Sequence, residues 1–346
     1  MEHGRYRGRH GGDMVTGKKY LLAGGCSRSG TTMLASMLGA SPECIAPPET
    51  DFLIPLAKAI QAGTVPPTVD AMRDFISSHW RFRFWNVEIG DRPLAVERPD
   101  DPWSVYRAVV FDAVDCYARA QGKPDWSVWV DHRPGNIRWV RFLVETFPDA
   151  GILHIVRDGR AVACSAIPLD WGPNEILSAA DFWISRMARG LAAEAAFPGA
   201  VHRVRYEDIL AEPEVELRRL CAAANISFSG DMLENPWADV PYYTKNQHRQ
   251  VGNRVNKGQA EVWRQRLTPH QIELFESKAA WLLGQLGYEC VTGMASRGPM
   301  LSEQFLAWLW GDVICVPLNK GLRKLRRQRA LGLHKARSSR GKPANT

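Results

Sequence analysis

The stretch from Tyr20 to Ser41 limits the possible folds more than any other part of the chain. An apolar run, YLLA, leads into GGCSRSGTT and then TMLASMLGAS, the order of a buried strand, a glycine loop and a helix. Glycines let the backbone curl so that successive N–H groups point inward, and the following helix adds unsatisfied amides and its positive dipole end. A tight turn without a ligand would explain the glycines alone. Four hydroxyl side chains, Ser27, Ser29, Thr31 and Thr32, surround Arg28, and they favour an anion cradle.

Further strands alternate with helices downstream. SVWVD (127–131) precedes a helical stretch reaching about Phe147, GILHIV (151–156) precedes a helix beginning at Asp158, and VHRVRY (201–206) is a third strand. Asp101 is the candidate cap of a helix from Pro102 to Ala120, in which Val105, Val109, Ala113 and Tyr117 share one face. Residues 207–290 read as mostly helical. The pattern predicts an α/β fold: a parallel sheet of the P-loop type flanked by helices, a three-layer sandwich with a helical C-terminal appendage. Three segments follow: a flexible basic arm (1–18), one catalytic domain (19–295), and an apolar then polybasic tail (296–346).

Charge is divided unevenly. Of 44 Lys/Arg, ten follow Asp312 with no acidic residue among them, and five lie in residues 1–19. The body between is therefore net acidic, which argues against a nucleic-acid partner, since such a domain needs a basic face on its folded body. Seven cysteines are scattered without a CxxC pair, and together with an N-terminus lacking an apolar stretch they predict reduced thiols and a cytoplasmic protein. No His/Cys/Asp/Glu spacing suggests a metal.

Gly25 and Gly30 bracket four residues, the spacing of a Walker A loop, but Thr31 stands where its lysine belongs. The positive charge has moved forward to Arg28. Such a loop is poorly equipped for a γ-phosphate but can still hold a shorter anion such as a phosphosulfate. GILHIV ends in Arg157 where a phosphate-transferring P-loop enzyme would place a magnesium-binding aspartate, which counts against a small-molecule kinase.

GCSRSGTTML resembles the 5′-phosphosulfate loop of sulfotransferases, bacterial enzymes and the tyrosylprotein branch in particular. HIVRDGRAVACS resembles the family's second block, an arginine and a serine eight residues on. Two weaker blocks follow in order: VRYEDILAEP, and NKGQAEVWRQRLT, where Asn256 replaces a frequent arginine. The resemblance spans roughly residues 18–290. It implies a donor, 3′-phosphoadenosine-5′-phosphosulfate, with 3′,5′-adenosine bisphosphate as product and no metal. Arg28, Ser29, Gly30, Thr31 and Thr32 would hold the 5′ end, and Arg157 and Ser165 the 3′-phosphate. Tyr206 would meet the adenine, and Lys257 and Gly258 match the late loop.

The acceptor, a hydroxyl or amine, must lose a proton, and the leaving oxygen must be neutralised. Arg28 and the loop amides suit the second task. Two residues compete for the first. Glu49 in APPETDF stands 21 residues after Arg28, the offset of a glutamate base in the tyrosylprotein branch; otherwise it caps a helix beginning near Asp51. His132 in WVDHRPGN precedes a proline by two, as does the histidine of cytosolic sulfotransferases, although bacterial relatives often carry lysine there. Trp80, Trp85 and Trp171 fall in irregular stretches, and the 168–175 segment reads as a loop over the acceptor.

FLAWLWGDVICVPL (305–318) is too short to span a bilayer, and a leucine-spaced basic stretch follows. It reads either as a helix lying on an anionic membrane, suiting a lipid or glycan acceptor, or as a helix packed on the domain with a solvated end. The remaining alternative to an enzyme is a non-catalytic nucleotide-binding scaffold at a membrane.

Overall fold

Five strands build the core of the molecule: β1 (Lys19–Gly25), β2 (Cys44–Ile45), β3 (Val128–Asp131), β4 (Gly151–Val156) and β5 (Val201–Arg205). The computed structural model describes residues 17–147, 149–234, 258, 260–292 and 297–338. The strands lie in the order β2-β3-β1-β4-β5 and every pairing is parallel, with Tyr20 beside Trp129 and Leu22 beside Ile152. The chain places β3 on one side of β1 and β4 on the other. Loops leaving the carboxyl ends of these strands therefore diverge, and the crevice they leave is where open α/β sheets bind ligands.

Helices connect and cover the strands. Between β1 and β3 run α1 (Thr31–Leu38), α2 (Leu53–Gln61), α3 (Val69–Ser78) and α4 (Pro102–Ala120). Before β4 comes α5 (Val140–Thr146), and α6 (Gly159–Ala166) and α7 (Ile176–Ala196) link β4 to β5. Then follow α8 (Tyr206–Ala211), α9 (Pro213–Ala224), α10 (Trp263–Arg266) and α11 (Pro269–Gln285).

Side chains alternate across a strand, so both faces of a covered sheet must be apolar. Tyr20, Leu22, Trp129 and Ile152 pack with α2, α4 and α5 on one face. Leu21, Ala23, Val130 and Ile155 pack with α1, α8 and α9 on the other. A third cluster joins Val156 to α6, α7 and α11. This is the three-layer sandwich expected. Asp101 caps α4 by accepting from Trp103 N at 3.1 Å, and Val105, Val109, Ala113 and Tyr117 are all buried. One boundary differs: β5 ends at Arg205, and Tyr206 opens α8 instead of closing the strand.

The tail is helical. α12 (Leu301–Trp308) continues through a π-helical stretch, Leu309–Cys315, into α13 (Val316–Ser338). Pro317 has no N–H to donate to Val313 and its ring would crowd that carbonyl, a conflict that a wider turn relieves. One face of this helix packs on the body: Arg326 pairs with Asp170 at 2.8 Å, Asn319 bonds Asn174 at 2.7 Å, and Ala330 is buried. Among the described residues no helix is long and apolar enough to cross a membrane.

Candidate active site

The glycine loop fills the carboxyl end of β1. A Cβ on Gly25 would lie 2.4 Å from the Ile155 carbonyl oxygen, so only glycine lets the loop pass this close to β4. Gly30 has φ 96°, and a Cβ there would lie 2.5 Å from the Tyr206 ring. Between them Arg28 adopts φ 75°, a left-handed conformation that costs a non-glycine residue energy and is concentrated at functional sites. Gly30 offers no side chain to cap α1, which leaves the first-turn amides to a ligand. Ser29, Thr31 and Thr32 are buried around this turn, and the Ser29 hydroxyl makes no hydrogen bond within the described structure.

The strand-end arginine meets this loop directly. Arg157 Nη1 donates to the Arg28 carbonyl oxygen at 2.8 Å, and Arg28 Nε donates to the Ser165 hydroxyl at 3.0 Å. The Arg157 guanidinium lies 4.1 Å from the centre of the Tyr206 ring, and Trp183 Nε1 donates to the Arg157 carbonyl at 3.0 Å. Arg28, Gly30, Arg157, Ser165 and Tyr206 are thus gathered in one place. Burial, and then the charge of Arg157, push the Arg28 guanidinium below its ordinary pKa. Two neighbouring cations in a half-buried crevice favour an anion. Lys257 lies outside the described residues, and Gly258 is exposed.

Glu49 and His132 converge through their neighbours in sequence. Asp131 ends β3 fully buried and accepts from Tyr20 Oη at 2.8 Å, Thr50 Oγ1 at 2.8 Å, Asn136 Nδ2 at 2.7 Å and Arg133 N at 3.2 Å. Arg133 Nε donates to Asp51 at 2.7 Å. The 47–51 segment is thereby fastened to the end of β3, with Glu49 beside Thr50 and His132 beside Asp131. His132 Nε2 donates to the Pro47 carbonyl at 3.2 Å, and its buried Nδ1 has no partner among the described residues. That bond requires the proton on Nε2, so the neutral ring keeps a lone pair at Nδ1.

Glu49 is 28% exposed and pairs with Arg81 Nη1 at 3.3 Å. Burial and then the charge of Asp51 raise its pKa, while Arg81, His132 and Arg133 oppose the rise. The field of Glu49 also reaches Arg28. It caps no helix: α2 starts after Phe52 without a side-chain cap. Of the tryptophans, Trp85 is buried within an aromatic cluster with Phe52, Phe82 and Tyr117, whereas Trp80 lies against Arg81 and Arg327.

Sequence reasoning missed several supporting groups. Asp131 was signalled only by a carboxylate closing an apolar strand. Arg160 is buried between Asp158, at 2.7 Å, and Glu276, at 2.6 Å, and covers the Trp263 ring. Asp158 N donates to Glu207, which accepts from Tyr288 Oη at 2.8 Å. This network holds the segment that follows Arg157. No group of three or more His, Cys, Asp or Glu among the described residues could hold a metal ion.

Known proteins share this fold. Nodulation protein NoeE of Sinorhizobium fredii (strain NBRC 101917 / NGR234) is 24% identical over 317 residues, covering 81% of this chain and 70% of that protein. The fold is similar to the sulfotransferase domain of the Synechococcus PCC 7002 olefin synthase, with a TM-score of 0.51, 21% identity, and coverage of 79% of this chain and 94% of that one. It is also similar to a sulfotransferase domain from the curacin biosynthetic pathway, with a TM-score of 0.52, 17% identity, and coverage of 80% and 99%. Residues 21–230, which include the glycine loop, Arg157 and Tyr206, match the model of the sulfotransferase family, and the chain belongs to that family.

Proposed function

We propose that the protein transfers a sulfuryl group from 3′-phosphoadenosine-5′-phosphosulfate to a hydroxyl or amine acceptor. The linkage of Arg157 and Ser165 to the main chain and side chain of Arg28 carries this reading. It joins the loop suited to a 5′ anion with the pair suited to a 3′-phosphate. The unpartnered Ser29 hydroxyl and the uncapped start of α1 fit the same donor.

In the proposed reaction Glu49 takes the acceptor proton, and its raised pKa suits a base working nearer neutrality. The acceptor forms its bond to sulfur as the bond from sulfur to the 5′-phosphate oxygen breaks in line. Arg28 and the loop amides stabilise the charge on that oxygen, and 3′,5′-adenosine bisphosphate departs. His132 positions the Glu49 segment through the Pro47 carbonyl.

Thermal melts test the donor. A ligand that binds only the folded state at about a hundred times its Kd adds about 2.7 kcal/mol. The bisphosphate should raise Tm by several degrees and ATP by much less; equal shifts would refute the donor assignment. Turnover of the sulfate donor with a panel of hydroxylated acceptors then separates an enzyme from a nucleotide-binding scaffold.

A further inference from the structure

The C-terminal helix turns one face to the body and leaves an apolar face uncovered. Leu301, Phe305 and Trp308, at spacings i, i+4 and i+7, are 84%, 57% and 52% exposed. Leu318, Leu322 and Leu325 repeat that spacing in α13 and are 63%, 54% and 53% exposed. Within each set, side chains so spaced share a face. At about 1.5 Å per residue the exposed apolar side chains from Leu301 to Leu325 extend over about 36 Å of helix. So much exposed apolar surface on one helix is rare on a monomer without a partner.

The surrounding charge selects that partner. After Asp312 the chain has ten Lys/Arg and no Asp or Glu. Lys320, Arg323, Lys324 and Arg329 are exposed on the same stretch of α13. A second copy of this helix would bring the same cations against themselves, and a neutral protein surface would leave them unused. We infer that α12 and α13 form a docking surface for an anionic lipid bilayer, with the apolar face in the headgroup boundary and the cations at the lipid phosphates. The helix lies in the plane of the interface and does not cross it.

The docked helix is also close to the candidate active site. Arg327 and Arg81 each pack 5.0 Å from the centre of the Trp80 ring, and Arg81 pairs with Glu49. Asp170 and Asn174, in the loop between α6 and α7, hold the same helix. Seating α12 and α13 on a bilayer would therefore hold Trp80 and the 170–174 loop about one helix diameter, about 10–12 Å, from the lipid surface.

Co-sedimentation of the full chain with vesicles tests the surface without relying on turnover. Vesicles of phosphatidylcholine alone are compared with vesicles containing about 30 mol % phosphatidylserine. Binding should favour the anionic vesicles by at least about tenfold and weaken with salt. Lys320→Gln with Lys324→Gln should reduce it about fivefold per lysine. Leu322→Ser with Leu325→Ser should reduce it on the order of tenfold or more. Both pairs are exposed, so unchanged Tm shows that the variants fold. Equal binding to neutral and anionic vesicles, or binding indifferent to the leucine changes, overturns the inference. So does a concentration-dependent dimer in light scattering that the leucine changes abolish, because the face then belongs to a second copy.

Discussion

Arg157 holds Arg28 by its main chain: its Nη1 donates to the Arg28 carbonyl oxygen at 2.8 Å, while the Arg28 side chain donates to Ser165 at 3.0 Å. The end of β4 and the loop after β1 are therefore one unit. Arg157→Met should cost more than a lost phosphate contact. Affinity for the bisphosphate, measured by calorimetry, should fall on the order of a hundredfold, and kcat should fall with it because the loop loses its anchor. A loss of affinity with unchanged kcat would show that the two contacts are separable.

Arg28→Ala should lower kcat on the order of a hundredfold to a thousandfold, the usual cost of removing one group from a developing oxyanion. Arg28→Lys should recover part of the rate, keeping the charge without the fork that reaches Ser165. Initial rates at saturating donor check both, and a near-normal rate in a folded Arg28→Ala protein would remove Arg28 from the reaction.

The pH–rate profile reports on Glu49. A base must be ionised to act, and burial with Asp51 raises its pKa, so the acid limb of kcat/KM should lie above the ordinary carboxylate range. Arg81 opposes that rise. Arg81→Met should therefore move the limb to higher pH, and Glu49→Gln should abolish it. His132→Ala should lower the rate and, because His132 also opposes the rise, move the limb to higher pH without removing it; a limb that disappears instead would make His132 the base.

Gly30→Ala tests how closely the loop sits under Tyr206. The new Cβ would meet the ring at 2.5 Å on a backbone with φ 96°. A cost of about 1–3 kcal/mol in stability is expected from the conformation alone, with weakened bisphosphate binding. Denaturant melts and calorimetry measure the two effects, and Gly30→Ala with Tyr206→Ala should recover part of the stability by removing the clash.

Arg160 acts at a distance from the reacting atoms. Arg160→Met would strand the carboxylates of Asp158 and Glu276 in a buried site, at a cost of about 3–5 kcal/mol. Glu276→Gln should cost less, because the single amide oxygen can still take the place of the carboxylate oxygen that accepts from Arg160 Nη1 and Val291 N, losing only the acceptor of Thr292. Urea unfolding with unchanged m-values would check the order.

The sheet was legible where local pattern and tertiary demand agree. GILHIV became β4 from Gly151 to Val156, and the loop glycines marked the end of β1, since few other residues permit that backbone. The C-terminal helix was legible as an apolar stretch before a basic one, but its contacts with Asp170 and Trp80 join residues far apart in sequence and leave no local trace. β2 has two residues, too few for any periodicity. The site divided in the same way. Arg28, Arg157 and Ser165 stood in recognisable blocks, whereas Asp131 and the pairing of Arg160 with Glu276 depend on partners that only the folded chain supplies.

Asp131 also has a consequence for how the protein is assembled. Its acceptor bonds draw on Tyr20 in β1, Thr50 after β2 and Asn136 after β3, with sequence separations of 111, 81 and 5. Contacts of such long range form late and together, because loop closure must precede them. The segment bearing Glu49 is thus positioned only once β1 and β3 have paired. A nascent chain released before residue 131 would hold the glycine loop and Glu49 without the carboxylate that fastens the Glu49 segment to the sheet.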